Sequence, residues 1–288
     1  MNELKLESLI KLLDDPDDSV FTLVLVEILK EDVSIVDRLE HIWETSFEEL
    51  VQQRIEFIIQ QIQLKDTKEK IKNWASQETL DLFEGIFLIS RYQYPELKLK
   101  PIQAQLEKIR KDVWLEYRNS LTSLEKITIL NHVFFDHYKF KIDLDNTELP
   151  QNSYINRVLD TRRGNPISIT IIYTLIARSL NLPVHYIDFD NNPLVGYFDK
   201  DMAQLVNDEG NNNQILFYIN PSNKGAIIGP KEVDYMRQST YLSEHNHQPE
   251  PCSDRIIIKR LVEKLSSDYK QAGSLEKVNY LKEIAEIL

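Results

Sequence analysis

The sequence predicts an α+β protein: a helical N-terminal half fused to a core built on an antiparallel sheet, ending in a C-terminal helical hairpin. Three observations predict it. Residues 1–163 hold one glycine, Gly85, whereas residues 164–229 hold five of the seven, Gly164, Gly196, Gly210, Gly225 and Gly229. Eight of the eleven prolines fall between Pro150 and Pro251. Both residue types serve turns and weaken helix interiors, so the chain changes texture near residue 150. The hydrophobic period changes too, from helical spacing to alternation after about Val184.

The first helix carries Leu6, Leu9, Ile10 and Leu13 on one face. Asp15-Pro16-Asp17-Asp18 then reads as an N-cap, a proline at the first helical position and an acidic first turn. The Val/Leu-rich run 20–29 that follows is nearly continuous, as a buried strand would be, but its length and cap favour a buried helix. Ser46-Phe47-Glu48-Glu49 has the spacing of a capping box, ahead of Val51, Ile55, Ile58, Ile59 and Ile62 on one face. The phrase 12–20 between two amphipathic helices resembles the turn of a HEAT-type hairpin, which makes residues 1–65 a HEAT-like start. Further helices are predicted at about 77–92, 101–117 and 122–138, the last opened by a capping box from Thr122 to Glu125. Short β-rich runs follow at 184–189, 194–198, 204–206 and 214–219, with residues 207–213 as the turn between the last two. An antiparallel meander is the natural arrangement. Residues 253–288 return to helix, broken at Ala272-Gly273-Ser274, and resemble one tetratricopeptide-type hairpin. The predicted divisions are therefore 1–65, 66–140, 141–250 and 251–288.

Composition excludes several roles. Net charge is −12, from 34 basic and 46 acidic residues, which argues against a phosphate-neutralising surface and so against nucleic-acid binding. No run of about 18 apolar residues exists, and the start of the chain lacks the basic and apolar regions of a secretory signal. A cytoplasmic protein with no membrane segment is expected. The single cysteine, Cys252, excludes an internal disulfide and a thiolate zinc cage. No cofactor or metal is predicted. His132 and His137 lie five residues apart, about 140° around a helix, so they do not share a ligand.

One phrase stands between the two textures: Asn152-Ser153-Tyr154-Ile155-Asn156-Arg157-Val158-Leu159-Asp160-Thr161-Arg162-Arg163-Gly164-Asn165-Pro166-Ile167-Ser168. An apolar helix and Asn181-Leu182-Pro183-Val184 follow it. This resembles the SirB-type branch of the bacterial transglutaminase-like superfamily. Glu84-Gly85-Ile86 through Ser90-Arg91-Tyr92-Gln93-Tyr94-Pro95 is similar to that branch's N-terminal signature, and Asn131-His132-Val133-Phe134-Phe135 to its next helix. The three phrases extend the resemblance over roughly residues 78–288. It implies a papain-like core, in which a helix carries the nucleophile position and an antiparallel sheet supplies the rest of a Cys, His, Asp triad.

In this chain the corresponding positions are Pro166, Asn192 and Asn220. Proline carries no nucleophile, and a carboxamide neither takes a proton as imidazole does nor holds a histidine as a carboxylate does. Two fallback nucleophiles remain. Ser168 lies in the first turn of the buried helix, and Cys252 follows His245 and His247 in a proline-rich stretch. Each has a plainer explanation, as a helix-start hydroxyl and as an incidental linker residue. The candidate binding residues are Asn152, Tyr154, Arg157, Arg163, Glu84 and Arg91, which serve equally well as structural groups. Glu84 is expected to pair with Arg157, Arg162 or Arg163 and so tie the helical half to the core. The function predicted is a non-catalytic scaffold with a protein partner. The alternatives are an unorthodox cysteine or serine hydrolase or acyl-transferase, and small-ligand binding in the former active-site cleft.

Overall fold

The computed structural model describes residues 3–118, 120–189, 192–206, 214–239 and 251–288. The chain divides into two compact units, residues 1–73 and 74–288. The first holds helices α1 (Glu3–Ile10), α2 (Asp18–Ile28), α3 (Val36–Thr45) and most of α4 (Glu49–Ala75). The division predicted at 65/66 therefore falls inside α4, which runs unbroken through it.

The core of the first unit is Leu6, Leu13, Val24, Ile28, Leu39, Ile55, Ile58 and Ile62. The face predicted for α4 is thus the face that buries. Helix α2 differs from expectation: Val24 and Ile28 are buried, but Leu23 is 70% and Val26 53% exposed. Both N-terminal caps are also displaced. Asp15 accepts from the Asp17 amide in a local turn, and Asp17 is the residue that caps α2, through Ser19 N–H at 2.8 Å. Ser46 closes α3 instead of opening α4, its amide bonding Ile42 O and its own carbonyl accepting from Gln52. Buried Arg54 fastens the turn between α1 and α2, donating to the carbonyls of Leu13 and Asp15 and pairing with Asp18.

The second unit continues with α5 (Leu82–Gln93), α6 (Leu99–Glu116) and α7 (Ser123–Asn131). Helix α5 starts later than predicted because Asp81 caps it, accepting from Phe83 N–H, while the Trp74 indole holds the Asp81 carbonyl. The predicted box at Thr122 and Glu125 forms. The helix expected to reach residue 138 stops at Asn131 and widens into a π-helical turn, His132–His137.

Two short strands, β1 (Lys141–Ile142) and β2 (Arg163–Gly164), pair in parallel around α8 (Ile155–Thr161). Helix α9 (Pro166–Ser179) follows, buried over most of its length. The main sheet has four antiparallel strands in the order β3 (Val184–Ile187), β4 (Leu194–Phe198), β5 (Ile215–Asn220), β6 (Ala226–Ile228). Alternation places Ile187, Leu194, Tyr218 and Ile228 in one cluster with Val233 of α11 (Pro230–Ser239). Helix α9 contacts β3 and β4.

The strand predicted at 204–206 is instead the end of helix α10 (Lys200–Val206). Asp199 caps that helix, its carboxylate accepting from Met202 N–H at 3.1 Å, and helix displaces the short apolar alternation. The turn expected at 207–213 lies outside the described residues. Strand β6 carries no strong alternation and was not predicted. The C-terminal hairpin forms as expected from α12 (Asp254–Gln271) and α13 (Leu275–Ile287), with Gly273 at φ +76° between them.

Candidate functional site

The start of α9 is built by a buried polar network. Asn165 caps the helix, its side-chain oxygen accepting from Ser168 N–H at 2.9 Å, and Pro166 occupies the first helical position. The Asn165 amide donates to Ser153 Oγ at 2.6 Å. The Ser168 hydroxyl donates to the carbonyls of Asn152 (2.6 Å) and Asn165 (3.1 Å). Asn152 is anchored in turn through Asn146 O and Asp143. Gly164 is required here, because a Cβ would lie 2.5 Å from Ser168 Oγ. The family-like phrase is therefore the local code for one helix start, and Asn152 and Ser168 are spent within it.

Asn192 stands at the head of β4 with its side-chain oxygen buried and unpartnered. Asn220 ends β5, where its side-chain oxygen accepts from Ser222 and Asn223 N–H and shapes a short 3-10 turn. The β4–β5 register pairs Val195 with Ile219, so the next step sets Leu194 opposite Asn220. Among the described residues, no hydrogen bond or ion pair joins any two of Pro166, Asn192 and Asn220.

Pro166 and Ile167 face a cavity of about 440 Å³ whose other walls are Thr147, Glu148 and the α12 residues Arg260, Glu263, Lys264, Ser267 and Gln271. Arg260 bonds Asp188 at 2.7 Å and Glu263 at 3.1 Å. Lys264 donates to Thr147 O and to fully buried Asp268. Burial pushes the Asp268 carboxyl upward against the pull of Lys264.

Cys252 is half-buried beside strand β3, its amide bonding Tyr186 O at 2.9 Å. Burial raises its thiol above the usual range, and the Asp188 N–H only partly opposes this. Among the described residues no histidine hydrogen-bonds Ser168 or Cys252; His245 and His247 lie outside the described residues. Among the described residues no group of three His, Cys, Asp or Glu side chains is placed to hold a metal.

The remaining candidates are distributed. Tyr154 is buried, its hydroxyl 2.8 Å from that of Tyr269, which donates to Gln93; Lys277 donates to the same Gln93 oxygen. Arg91 bonds Pro95 O, and Arg163 lies 3.7 Å from Asp143. Arg162 takes a left-handed conformation and stacks on Tyr138 and Phe140. The expected pairing of Glu84 with Arg157, Arg162 or Arg163 does not form. Glu84 sits in the first turn of α5, whereas α5 meets α8 at its far end, where Ser90 Oγ accepts the Ile155 amide. Sequence reasoning also missed Asn131, which bonds both Gly225 O and the Tyr173 hydroxyl. Its place in the Asn131–Phe135 phrase was the available signal.

A "UPF0162 protein" of Xylella fastidiosa is 28% identical over 208 residues, covering 68% of this chain and 67% of that protein. A UPF0162 protein of Pasteurella multocida is 38% identical over 74 residues, 26% of this chain and 28% of its own. Human F-box only protein 21 is 27% identical over 177 residues, 53% of this chain and 27% of that protein. No solved structure matches. The transglutaminase-like superfamily matches over residues 100–263, more than half of the sequence and inclusive of α9 and the whole four-stranded sheet, and the chain belongs to that superfamily.

Proposed function

We propose that this protein is a non-catalytic transglutaminase-like protein, cytoplasmic, acting as a protein-interaction or regulatory scaffold. The observation that carries the proposal is Pro166: the nucleophile position holds a ring with no nucleophilic atom and no N–H, fitted to the first turn of α9. Asn192 and Asn220 extend the same pattern to the other two positions. The fallback nucleophiles do not restore it. Ser168 is fully buried with its hydroxyl donated to backbone carbonyls, and burial pushes the Cys252 thiol up, away from the reactive thiolate. The HEAT-like start and tetratricopeptide-like end supply the scaffold side by fold analogy. Among the described residues no helix is long and apolar enough to cross a membrane.

The test is turnover by the purified full chain. Amine incorporation into a glutamine peptide, hydrolysis of a peptide-thioester panel, and labelling by serine- and thiol-directed probes are all expected at background. Turnover that disappears in Ser168→Ala or Cys252→Ala overturns the proposal. A second reading, ligand binding at the former nucleophile position, is favoured by one observation, the cavity that Pro166 lines.

A further inference from the structure

The corner between α3 and α4 carries three exposed large apolar side chains within eight residues. Phe47 is fully exposed, and Trp43 is 36% and Leu50 39% exposed. Folding gains nothing from the Phe47 ring, because it leaves no water behind. The backbone that presents these side chains is fastened. The Gln52 side-chain amide donates to the carbonyls of Ser46 (2.9 Å) and Trp43 (3.3 Å), and the Trp43 indole donates to Glu56 at 3.0 Å. A turn bonded in this way between two helices lowers the entropy that a partner must remove in gripping it.

Charge selects the kind of partner. Residues 1–73 hold 17 acidic against 9 basic residues, so this quarter of the chain carries −8 of its net −12. Glu44, Glu48 and Glu49 are exposed on the corner itself. The only lysine or arginine between residues 39 and 64 is Arg54, which is buried and spent on Leu13, Asp15 and Asp18. Uncompensated carboxylates repel an acidic surface and attract a basic one. Exposed aromatic side chains are the anchors on which protein interfaces concentrate their energy. We propose that the α3–α4 corner docks a protein segment that is rich in lysine or arginine and carries bulky apolar side chains. Trp43, Phe47 and Leu50 take up its apolar side chains, and Glu44, Glu48 and Glu49 meet its cations. The inference deepens the proposed interaction role by naming its partner class, and it rests on that reading.

The test is fluorescence anisotropy of the full chain against three labelled peptides of equal length, built from Lys, Leu and Trp, from Glu, Leu and Trp, and from Lys and Ser. Saturable binding of the Lys/Leu/Trp peptide is expected, about tenfold or more tighter than either control. Raising the salt from about 50 to about 300 mM should weaken it, and Glu44→Gln combined with Glu48→Gln should flatten that dependence. Phe47→Ser is expected to weaken binding about tenfold or more, a step of the size aromatic anchors give. It should leave the melting temperature unchanged, since the ring is fully exposed. Leu144→Ser removes an 81% exposed side chain from the second unit and should leave binding as it was. No saturable binding of the Lys/Leu/Trp peptide, a control peptide that binds as tightly, or equal effects of Phe47→Ser and Leu144→Ser overturns the proposal. Self-association that depends on Phe47, without peptide binding, overturns it too and assigns the corner to a second copy of the chain. Turnover assays read the non-catalytic proposal separately, so either can fail alone.

Discussion

The side-chain amide of Asn131 donates to the Gly225 carbonyl at 2.8 Å, and its oxygen accepts the Tyr173 hydroxyl at 2.8 Å. One residue at the end of α7 thereby joins the turn after β5 to the buried helix α9. Gly225 takes φ +73°, and a Cβ there would lie 2.2 Å from Asn131 Oδ1. Asn131→Ala strands a fully buried tyrosine hydroxyl and a buried carbonyl, at about 1–3 kcal/mol for each group left without a partner. Gly225→Ala destabilises through both strain and collision. Because the collision is with Asn131, the double variant should lose less than the sum of the two singles in denaturant unfolding. Strict additivity would show that the contact carries no coupling.

Ser90 and Glu84 make opposite forecasts on one helix. Buried Ser90 donates to Ile86 O and accepts the Ile155 amide at 3.0 Å, giving the first turn of α8 an acceptor it otherwise lacks. Ser90→Ala should cost about 1–3 kcal/mol by leaving that amide unpaired. Glu84→Gln should leave the urea midpoint nearly unchanged, since Glu84 makes no ion pair with the arginines of the α8–α9 region. A large loss from Glu84→Gln with none from Ser90→Ala would reverse the assignment.

The helices were legible because their signals are local. The apolar stripe of α4 and the Thr122–Glu125 box can be read without knowing what packs on them. The displaced caps show the limit of that logic. Asp15 and Ser46 have capping side chains, but each closes a short local turn on the amide two residues on, Asp17 and Glu48, instead of a helix start. The strand expected at 204–206 failed for a related reason, since three residues carry too little periodicity to outweigh the Asp199 cap. The family-like phrases pointed to the right segment. What they did not reveal is that Asn152 and Ser168 are consumed by the start of α9. Nor did they show that α12, some ninety residues onward, walls the cavity beside Pro166. Such long-range pairings leave no trace in spacing.

Cys252 should be a poor nucleophile. Burial is the largest influence on its thiol and raises it, so the reactive thiolate is scarcer at neutral pH than in a free cysteine. Alkylation of the native chain by iodoacetamide at pH 7.5 is expected to run slower than that of a small thiol, and its rise with pH to level off at a higher pH than the small thiol's. The unfolded chain should react at the ordinary rate. Native labelling at pH 7 as fast as a small thiol would restore Cys252 as a candidate nucleophile.

His185 should give the protein an acid-sensitive component of stability. Its ring sits edge-on to Phe198 at 4.6 Å, partly buried on β3. Burial lowers its proton affinity, the Arg178 guanidinium lowers it further, and Asp254 opposes them weakly. The folded pKa therefore lies below the unfolded value of about 6.5, and the unfolded chain takes up the proton first. Stability linked to His185 is fully present above that value and is lost as pH falls through it towards the folded pKa. Urea midpoints measured from pH 7.5 down to pH 5 should decline in the parent chain and decline less steeply in His185→Gln. Comparison of slopes is the decisive quantity, because the substitution also removes the Phe198 contact and lowers both ends of the curve. Equal slopes in the two proteins would assign the acid sensitivity to the carboxylates instead.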